Sequence, residues 1–154
     1  MNLKKHNIIQ SYLFLFLITL CASFFSANTF AQSQLEGVWK SNDDEYMIKI
    51  TSLGHQFQAR IVWLKSEFDL SGNPLLDIKN PDEKYRKIPL KGLKILSDLQ
   101  YNAAHDQWIN GKIYLPQEGK YYSCKATIKG NMLQFILEGN GAGSGKTWNW
   151  TGQN

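Results

Sequence analysis

The sequence predicts an all-β protein, a single up-and-down antiparallel barrel of about eight strands, on three observations. Apolar and polar residues alternate with a period of two over most of the chain after residue 31. Short clusters of Asn, Asp, Gly and Pro separate these segments, as the turns of an antiparallel meander do. Eight strands joined in this way close naturally into a barrel, which leaves no edge strand unpaired.

Each predicted strand is bounded by turn residues. In the third, the alternation places Phe57, Ala59, Ile61 and Trp63 together on one face. The predicted strands are residues 35–41, 45–52, 55–64, 93–101, 107–115, 120–129, 131–138 and 146–151.

The alternation stops in one long loop, residues 65–92, which is rich in Asp, Asn, Pro, Gly and Lys. A connection of this length inside a compact domain is uncommon and is typically functional or mobile. Within it, Asn80 and Pro81 resemble an N-cap and a first-turn proline, followed by two acidic residues. We therefore expect a short helix of one or two turns that ends near Lys87.

Residues 1–31 have the features of a secretory signal peptide. A basic start at residues 4–6 precedes an apolar run at residues 12–25, and small residues lead to a cleavage site after Ala31. The run is short for a bilayer span, which needs about 20 residues. We therefore expect a signal peptide followed by one barrel domain over residues 32–154, located in the periplasm or secreted, with no stable membrane span after cleavage.

Charge and cysteine content restrict the function further. Without residues 1–31 the chain keeps 15 basic and 13 acidic residues, a balance that gives no reason to expect a nucleic-acid partner. One cysteine remains, Cys124, so no intramolecular disulfide can form. A single thiol in an alternating strand is typical of a small core residue. Cys21 follows Leu20, which is larger than a lipid-anchor site allows.

Residues 139–147 imitate a phosphate-binding P-loop and end in Gly145-Lys146-Thr147. The P-loop requires glycine at the position that Asn140 occupies, and it requires a helix after the lysine. A strand is predicted there instead. We therefore expect a glycine-rich hairpin and neither a nucleotide nor any other cofactor.

No metal site or catalytic group stands out. The two histidines of the barrel domain, His55 and His105, lie near turns without ligand-spaced partners. No Gly-x-Ser-x-Gly nucleophile motif is present. For an enzyme acting on an envelope lipid or sugar, the side chains worth testing are Asp77, Asp82 and Cys124.

The aromatic residues are the most informative set, because all five tryptophans fall in predicted strands. Such rings either fill the core or line an apolar ligand pocket, and the sequence leaves both interpretations open. A basic run around Tyr85 likewise fits a solvated loop or a patch for an anionic headgroup.

The chain resembles two known groups of proteins. Gly37-Val38-Trp39 resembles the Gly-x-Trp motif of lipocalins, in which the tryptophan plugs the barrel base and a basic residue of the last strand packs over it. Lys146 is the corresponding residue here. A longer series resembles the exported bacterial family known as domain of unknown function 2147. The matching pieces include Arg60 to Leu64, Asp77 to Asp82, Gly111 to Tyr114, Tyr122 to Lys125 and Thr147 to Thr151.

The second resemblance implies a lipocalin-type barrel whose activity is not established. Members often carry cysteine where Gln58 stands, so a pairing with Cys124 is lost in this chain. Lys112 and Lys146 stand where arginine is usual, which weakens a bidentate grip on a carboxylate. The long loop follows the third predicted strand, whereas the lid loop of lipocalins usually follows the first.

The leading hypothesis is a non-catalytic carrier or sensor of a small amphipathic or apolar molecule, such as a fatty acid or lipid fragment. Arg60, Arg86 or Lys112 would meet an acidic headgroup, and the 65–92 loop would close the mouth. The alternatives are an envelope protein-interaction module with a filled barrel and, third, the enzyme. The predicted ligand-binding residues are Trp39, Tyr46, Arg60, Trp63, Asp77, Asn80, Asp82, Arg86, Trp108, Lys112 and Tyr114.

Cleavage after Ala31 makes Gln32 the first residue of the mature protein. N-terminal sequencing or intact-mass measurement of protein from a periplasmic extract checks this expectation. A chain that keeps the apolar run would contradict it and would indicate a membrane anchor.

Overall fold

The computed structural model describes residues 34–138 and 146–153. These residues form a closed barrel in which each of eight strands pairs antiparallel with the next and β1 pairs with β8. The predicted fold class is thus confirmed. The strands are β1 Gly37–Ser41, β2 Tyr46–Leu53, β3 Gln56–Leu64, β4 Lys94–Asn102, β5 Gln107–Leu115, β6 Lys120–Lys129, β7 Met132–Glu138 and β8 Lys146–Gln153.

All eight strands lie where the alternation predicts them, and their ends differ from the prediction by at most two residues. The turn signals explain this agreement. Gly54 and Gly130 adopt φ values of 64° and 59°, which glycine reaches without the steric penalty of a Cβ atom. Each therefore ends a strand where the sequence places it. The predicted hairpin at residues 139–145 lies outside the described residues.

The prediction for β3 is wrong at the end of the strand. Ile48 pairs with Ile61 while the residue before Ile48 pairs with Trp63, so Val62 is an extra residue in a β-bulge. The alternation shifts by one after the bulge. Trp63 is therefore 37% exposed on the outer face, and Leu64 is buried. The apolar run at these positions fits either register, which is why the sequence pattern did not reveal the bulge.

The helix predicted in the long loop is a single 3-10 turn, Glu83–Tyr85. Its N-cap is Asp82, whose side chain accepts a hydrogen bond from the Lys84 N–H, and not Asn80 as predicted. Asn80 is buried and its side chain is used in tertiary contacts, so a longer helix does not start there. No helix among the described residues is long and apolar enough to cross a membrane.

The two ends of the barrel differ in the length of their connections. At the closed end, where the tight turns at residues 54–55, 103–106 and 130–131 lie, the Trp39 indole donates to the Leu35 carbonyl at 3.0 Å. At the opposite end, called the loop end here, lie residues 42–45, 65–93 and 116–119.

Large side chains fill much of the interior. Phe57, Trp108, Phe135 and Trp150 are all fully buried. They belong to one core cluster, and every member of that cluster comes from the domain that begins at Gln34. The domain that begins at Gln34 therefore contains the whole closed barrel and its own hydrophobic core.

Gly111 is a close-packing point of this core. A Cβ atom there would lie 2.6 Å from Leu99 Cδ1 and 2.7 Å from Cys124 Sγ. Gly111→Ala should therefore lower the free energy of unfolding by about 1–3 kcal/mol through overpacking, as measured by urea denaturation. Adding Cys124→Ala should recover part of this loss because it removes the Sγ atom. Strictly additive losses would contradict this account.

Candidate ligand site at the loop end

A pocket of about 180 Å³ lies at the loop end of the barrel. It is built where strands of the meander begin or end, because alternate strand termini meet at the same end of an up-and-down barrel. Seven of its ten lining residues are apolar or aromatic, which suits an apolar ligand group. The lining residues are Tyr46, Ile61, Ile95, Leu115, Pro116, Gln117, Glu118, Leu137, Thr147 and Trp148.

Aromatic rings form one wall of this pocket. Tyr46 and Trp148 meet edge to face, with ring centroids 6.4 Å apart and planes at 87°. Trp148 also packs on Trp150, with centroids 4.5 Å apart, so the wall continues into the core. Burial raises the pKa of the Tyr46 hydroxyl, which also hydrogen-bonds the Gln117 side chain. This wall is therefore a neutral, partly polar surface at neutral pH.

The polar side of the pocket comes from the turn between β5 and β6 and from the start of β8. Gln117, Glu118 and Thr147 lie there. The Tyr122 hydroxyl donates to Glu118 Oε2 at 2.6 Å, which helps to orient that carboxylate. The site thus offers an apolar interior with hydrogen-bonding groups along part of its border.

The long loop supports the pocket from outside. Lys79 Nζ donates to the carbonyl of Gln117, a residue on the polar side of the pocket, at 2.7 Å. Gly119 lies against the Lys79 backbone so closely that a Cβ atom would collide with the Lys79 carbonyl. The loop therefore holds the position of this turn, although none of its described residues lines the pocket.

A buried hydrogen-bond network fixes the loop to the barrel. The Tyr114 hydroxyl donates to Asp77 Oδ1 at 2.7 Å, and Asn80 Nδ2 donates to Asp77 Oδ2 at 2.6 Å. Asp77 and Asn80 are nearly inaccessible to solvent. Burial, and secondarily the Asp77 carboxylate, raises the pKa of Tyr114 far above its usual value, so the phenol remains a donor.

Five of the predicted ligand-binding residues therefore meet in or beside this network and not at the pocket. Besides Asp77, Asn80 and Tyr114, the Asp82 N–H donates to Asn80 Oδ1 at 3.0 Å. Arg86 Nε donates to the Asn80 carbonyl at 2.9 Å. The structure gives these residues a role in shaping the loop.

The other predicted residues are dispersed. Tyr46 alone among the eleven lines the pocket. Trp39 and Trp108 are buried, whereas Trp63 lies on the outer face. Arg60 is exposed and donates to the Gly92 carbonyl at 2.9 Å, and exposed Lys112 lies 5.0 Å from the Tyr121 ring centre.

Nine of the lining residues were not predicted from the sequence, and the largest group among them is aliphatic. Ile95, Leu115 and Leu137 look like any other core residue in an alternating strand. What these three residues share is their position in the sequence. Each lies close to the end of a strand, and the meander brings that end to the loop end of the barrel. Combining the predicted topology with the distance of each residue from its nearest turn would have found them.

The side chains considered for catalysis lie in different settings. Asp77 is in the buried network, and Asp82 is exposed with Lys84 Nζ 2.8 Å from its carboxylate. Burial, with a smaller effect of Glu138, raises the pKa of Cys124 to about 12. Its thiol is therefore protonated and a poor nucleophile at neutral pH. His55 and His105 are exposed, and the described residues contain no cluster of acidic, histidine or cysteine side chains suited to a metal.

Asp77→Ala would leave the Tyr114 hydroxyl and the Asn80 amide buried without their acceptor. We expect the free energy of unfolding to fall by about 2–3 kcal/mol, measured by urea denaturation. Asp82→Ala is the matched control, because it removes an exposed cap and should cost about 1 kcal/mol. Equal losses in the two variants would show that the buried network does not hold the loop.

Comparisons with known proteins agree with the barrel. A similar solved structure is protein HP1028 from the human pathogen Helicobacter pylori, described as belonging to the lipocalin family. The TM-score is 0.63 at 24% sequence identity, over 78% of this chain and 83% of that chain. No curated protein shows significant sequence similarity to the chain.

The fold is thus lipocalin-like, and the predicted family is confirmed by the sequence. The model of the family described as "Uncharacterized protein conserved in bacteria (DUF2147)" matches residues 37–151, which is most of the barrel. The chain belongs to this family of uncharacterized bacterial proteins.

Proposed function

We propose that this protein is an exported carrier or sensor of a small apolar or amphipathic molecule, bound in the pocket at the loop end. The observation that supports this proposal is an apolar pocket bordered by Tyr46 and Trp148 and edged with hydrogen-bonding groups. Apolar surface that leaves water there would contribute about 25 cal/mol per Å². The signal-peptide features of residues 1–31 support export.

The size of the pocket narrows the ligand. A designed apolar cavity of about 150 Å³ holds one benzene molecule, and the pocket here has about 180 Å³. It therefore encloses a single ring or a segment of about six to eight carbon atoms. A fatty acid or lipid fragment would insert one end, and the remainder would extend past Gln117, Glu118 and Thr147 toward solvent.

An envelope interaction module is the second candidate function. It is favoured by the packed interior, where Trp108 and Trp150 occupy space that a larger ligand would need. In that case the 65–92 loop would be the contact surface. The two functions predict different copurifying partners: a small molecule for the carrier, and another protein for the interaction module.

Native mass spectrometry of the mature protein, purified without detergent, tests the carrier function. We expect a discrete added mass that disappears on denaturation, or one that forms after incubation with a fatty-acid and lipid mixture. Leu115→Trp should reduce that occupancy at least tenfold, because the larger side chain fills the pocket from its wall.

Leu53→Trp is the matched control, since Leu53 is 65% exposed at the closed end. It adds the same volume without touching the pocket and should leave occupancy unchanged. If Leu115→Trp does not fold, Thr147→Trp fills the pocket from an exposed position on β8. A bare mass under every condition would overturn the carrier function and favour the interaction module.

A further inference from the structure

The turn between β5 and β6, residues 116–119, lies at the mouth of the pocket, and we call it the mouth turn. Pro116 and Gln117 both line the pocket. Pro116 is buried, although connecting segments at the end of a barrel usually run over the surface. The burial of this proline shows that the turn folds inward, over the side chains that line the pocket.

A hydrogen bond crosses the mouth of the pocket. It joins the Gln117 side chain to the hydroxyl of Tyr46, the first residue of β2. In the ring of strands, β3 and β4 separate β2 from β5, whereas β1, β8 and β7 separate β2 from β6. The two residues therefore come from opposite sides of the barrel. Because an eight-stranded barrel is only wide enough for its own side chains, this one contact spans the opening.

Other contacts fix the position of the mouth turn. Within the chain, the Gly119 N–H donates to the Leu115 carbonyl at 2.9 Å and closes the turn. From the long loop, Lys79 Nζ donates to the Gln117 carbonyl at 2.7 Å. The turn is thus held from outside by Lys79 and across the mouth by Tyr46, in a position that covers the pocket.

The space under the closed turn limits the length of a ligand. The pocket of about 180 Å³ encloses about six to eight carbon atoms. A longer chain must displace the mouth turn and break the bond between Tyr46 and Gln117. The carbon atoms that then extend into solvent bury no further apolar surface, so they do not offset the lost contact.

We propose that the Tyr46–Gln117 contact makes the mouth turn a length filter, which favours chains of about six to eight carbon atoms over longer ones. The proposal rests on the proposed function, because it needs the pocket to be a ligand site. Lys79 is a positioning residue in this scheme, since it holds the turn without lining the pocket. A longer ligand still binds, but with the turn displaced and with lower affinity.

Titrations with octan-1-ol and decan-1-ol test the filter. The protein is the chain that begins at Gln32, and the readout is tryptophan fluorescence, to which Trp148 contributes from the pocket wall. The parent protein should bind decan-1-ol about three- to tenfold more weakly than octan-1-ol, the factor that corresponds to one ordinary hydrogen bond.

Gln117→Ala and Tyr46→Phe each remove the contact across the mouth. In both variants the ratio of the two dissociation constants should fall to about one, because decan-1-ol binds more tightly than it does to the parent. The double variant should show no further fall, since the two side chains act through one bond.

Lys79→Met tests the filter from outside the pocket, because it removes the bond to the turn and keeps most of the alkyl chain. It should strengthen decan-1-ol binding about twofold, since an exposed contact contributes little, and should leave octan-1-ol binding unchanged. Gln107→Ala is the matched control, as Gln107 begins β5 at the closed end. It should keep the parent ratio.

Three results would overturn the filter alone. The first is equal binding of the two alcohols by the parent protein. The second is an equal change of the ratio in Gln117→Ala and Gln107→Ala. The third is a ratio that falls in Gln117→Ala because octan-1-ol binds more weakly, which would make Gln117 a direct ligand contact. If the parent binds neither alcohol, the ligand site fails and the filter fails with it.

Discussion

The pairing of β1 with β8 is the constraint on which the rest of the structure depends. It places Trp39 opposite Gly152 and Ser41 opposite Trp150, and thereby closes the ladder into a barrel. Closure removes the two free edges of the meander and encloses the inward side chains in one core. It also brings the ends of non-consecutive strands together, and this creates a common pocket from β2, β3, β4, β5, β7 and β8.

Large side chains fill most of the interior and leave a small pocket at the loop end. Tryptophan and phenylalanine rings occupy the core, and two of them carry a buried indole N–H, on Trp108 and Trp150, without a hydrogen-bond partner among the described residues. Each unpaired buried donor costs about 1–3 kcal/mol. Trp150 packs on Trp148 in the pocket wall, so part of this cost lies next to the candidate site. Locally unfavourable choices of this kind are often found where function constrains a core.

The long loop is a structural element with a free outer surface. Its inner side is held by Asp77, Tyr114 and the Lys79 contact with Gln117, which leaves little freedom for it to act as a lid. Its outer side exposes apolar and basic side chains that the barrel does not use. The two surfaces thus differ, since the inner one is used to hold the turn beside the pocket and the outer one contacts solvent.

The sequence by itself determined the all-β class, the eight strands and their turns, because period-two alternation and turn residues are local signals. The family was also recognisable from motifs in order along the chain. Only the tertiary structure decided which face Trp63 takes, because a bulge adds one residue without changing composition. It likewise decided that Asp77 and Asn80 hold the long loop against the barrel. It also decided that Ile95, Leu115 and Leu137 line the pocket. Those roles depend on neighbours that lie far apart in sequence, and they exist only once the barrel has closed.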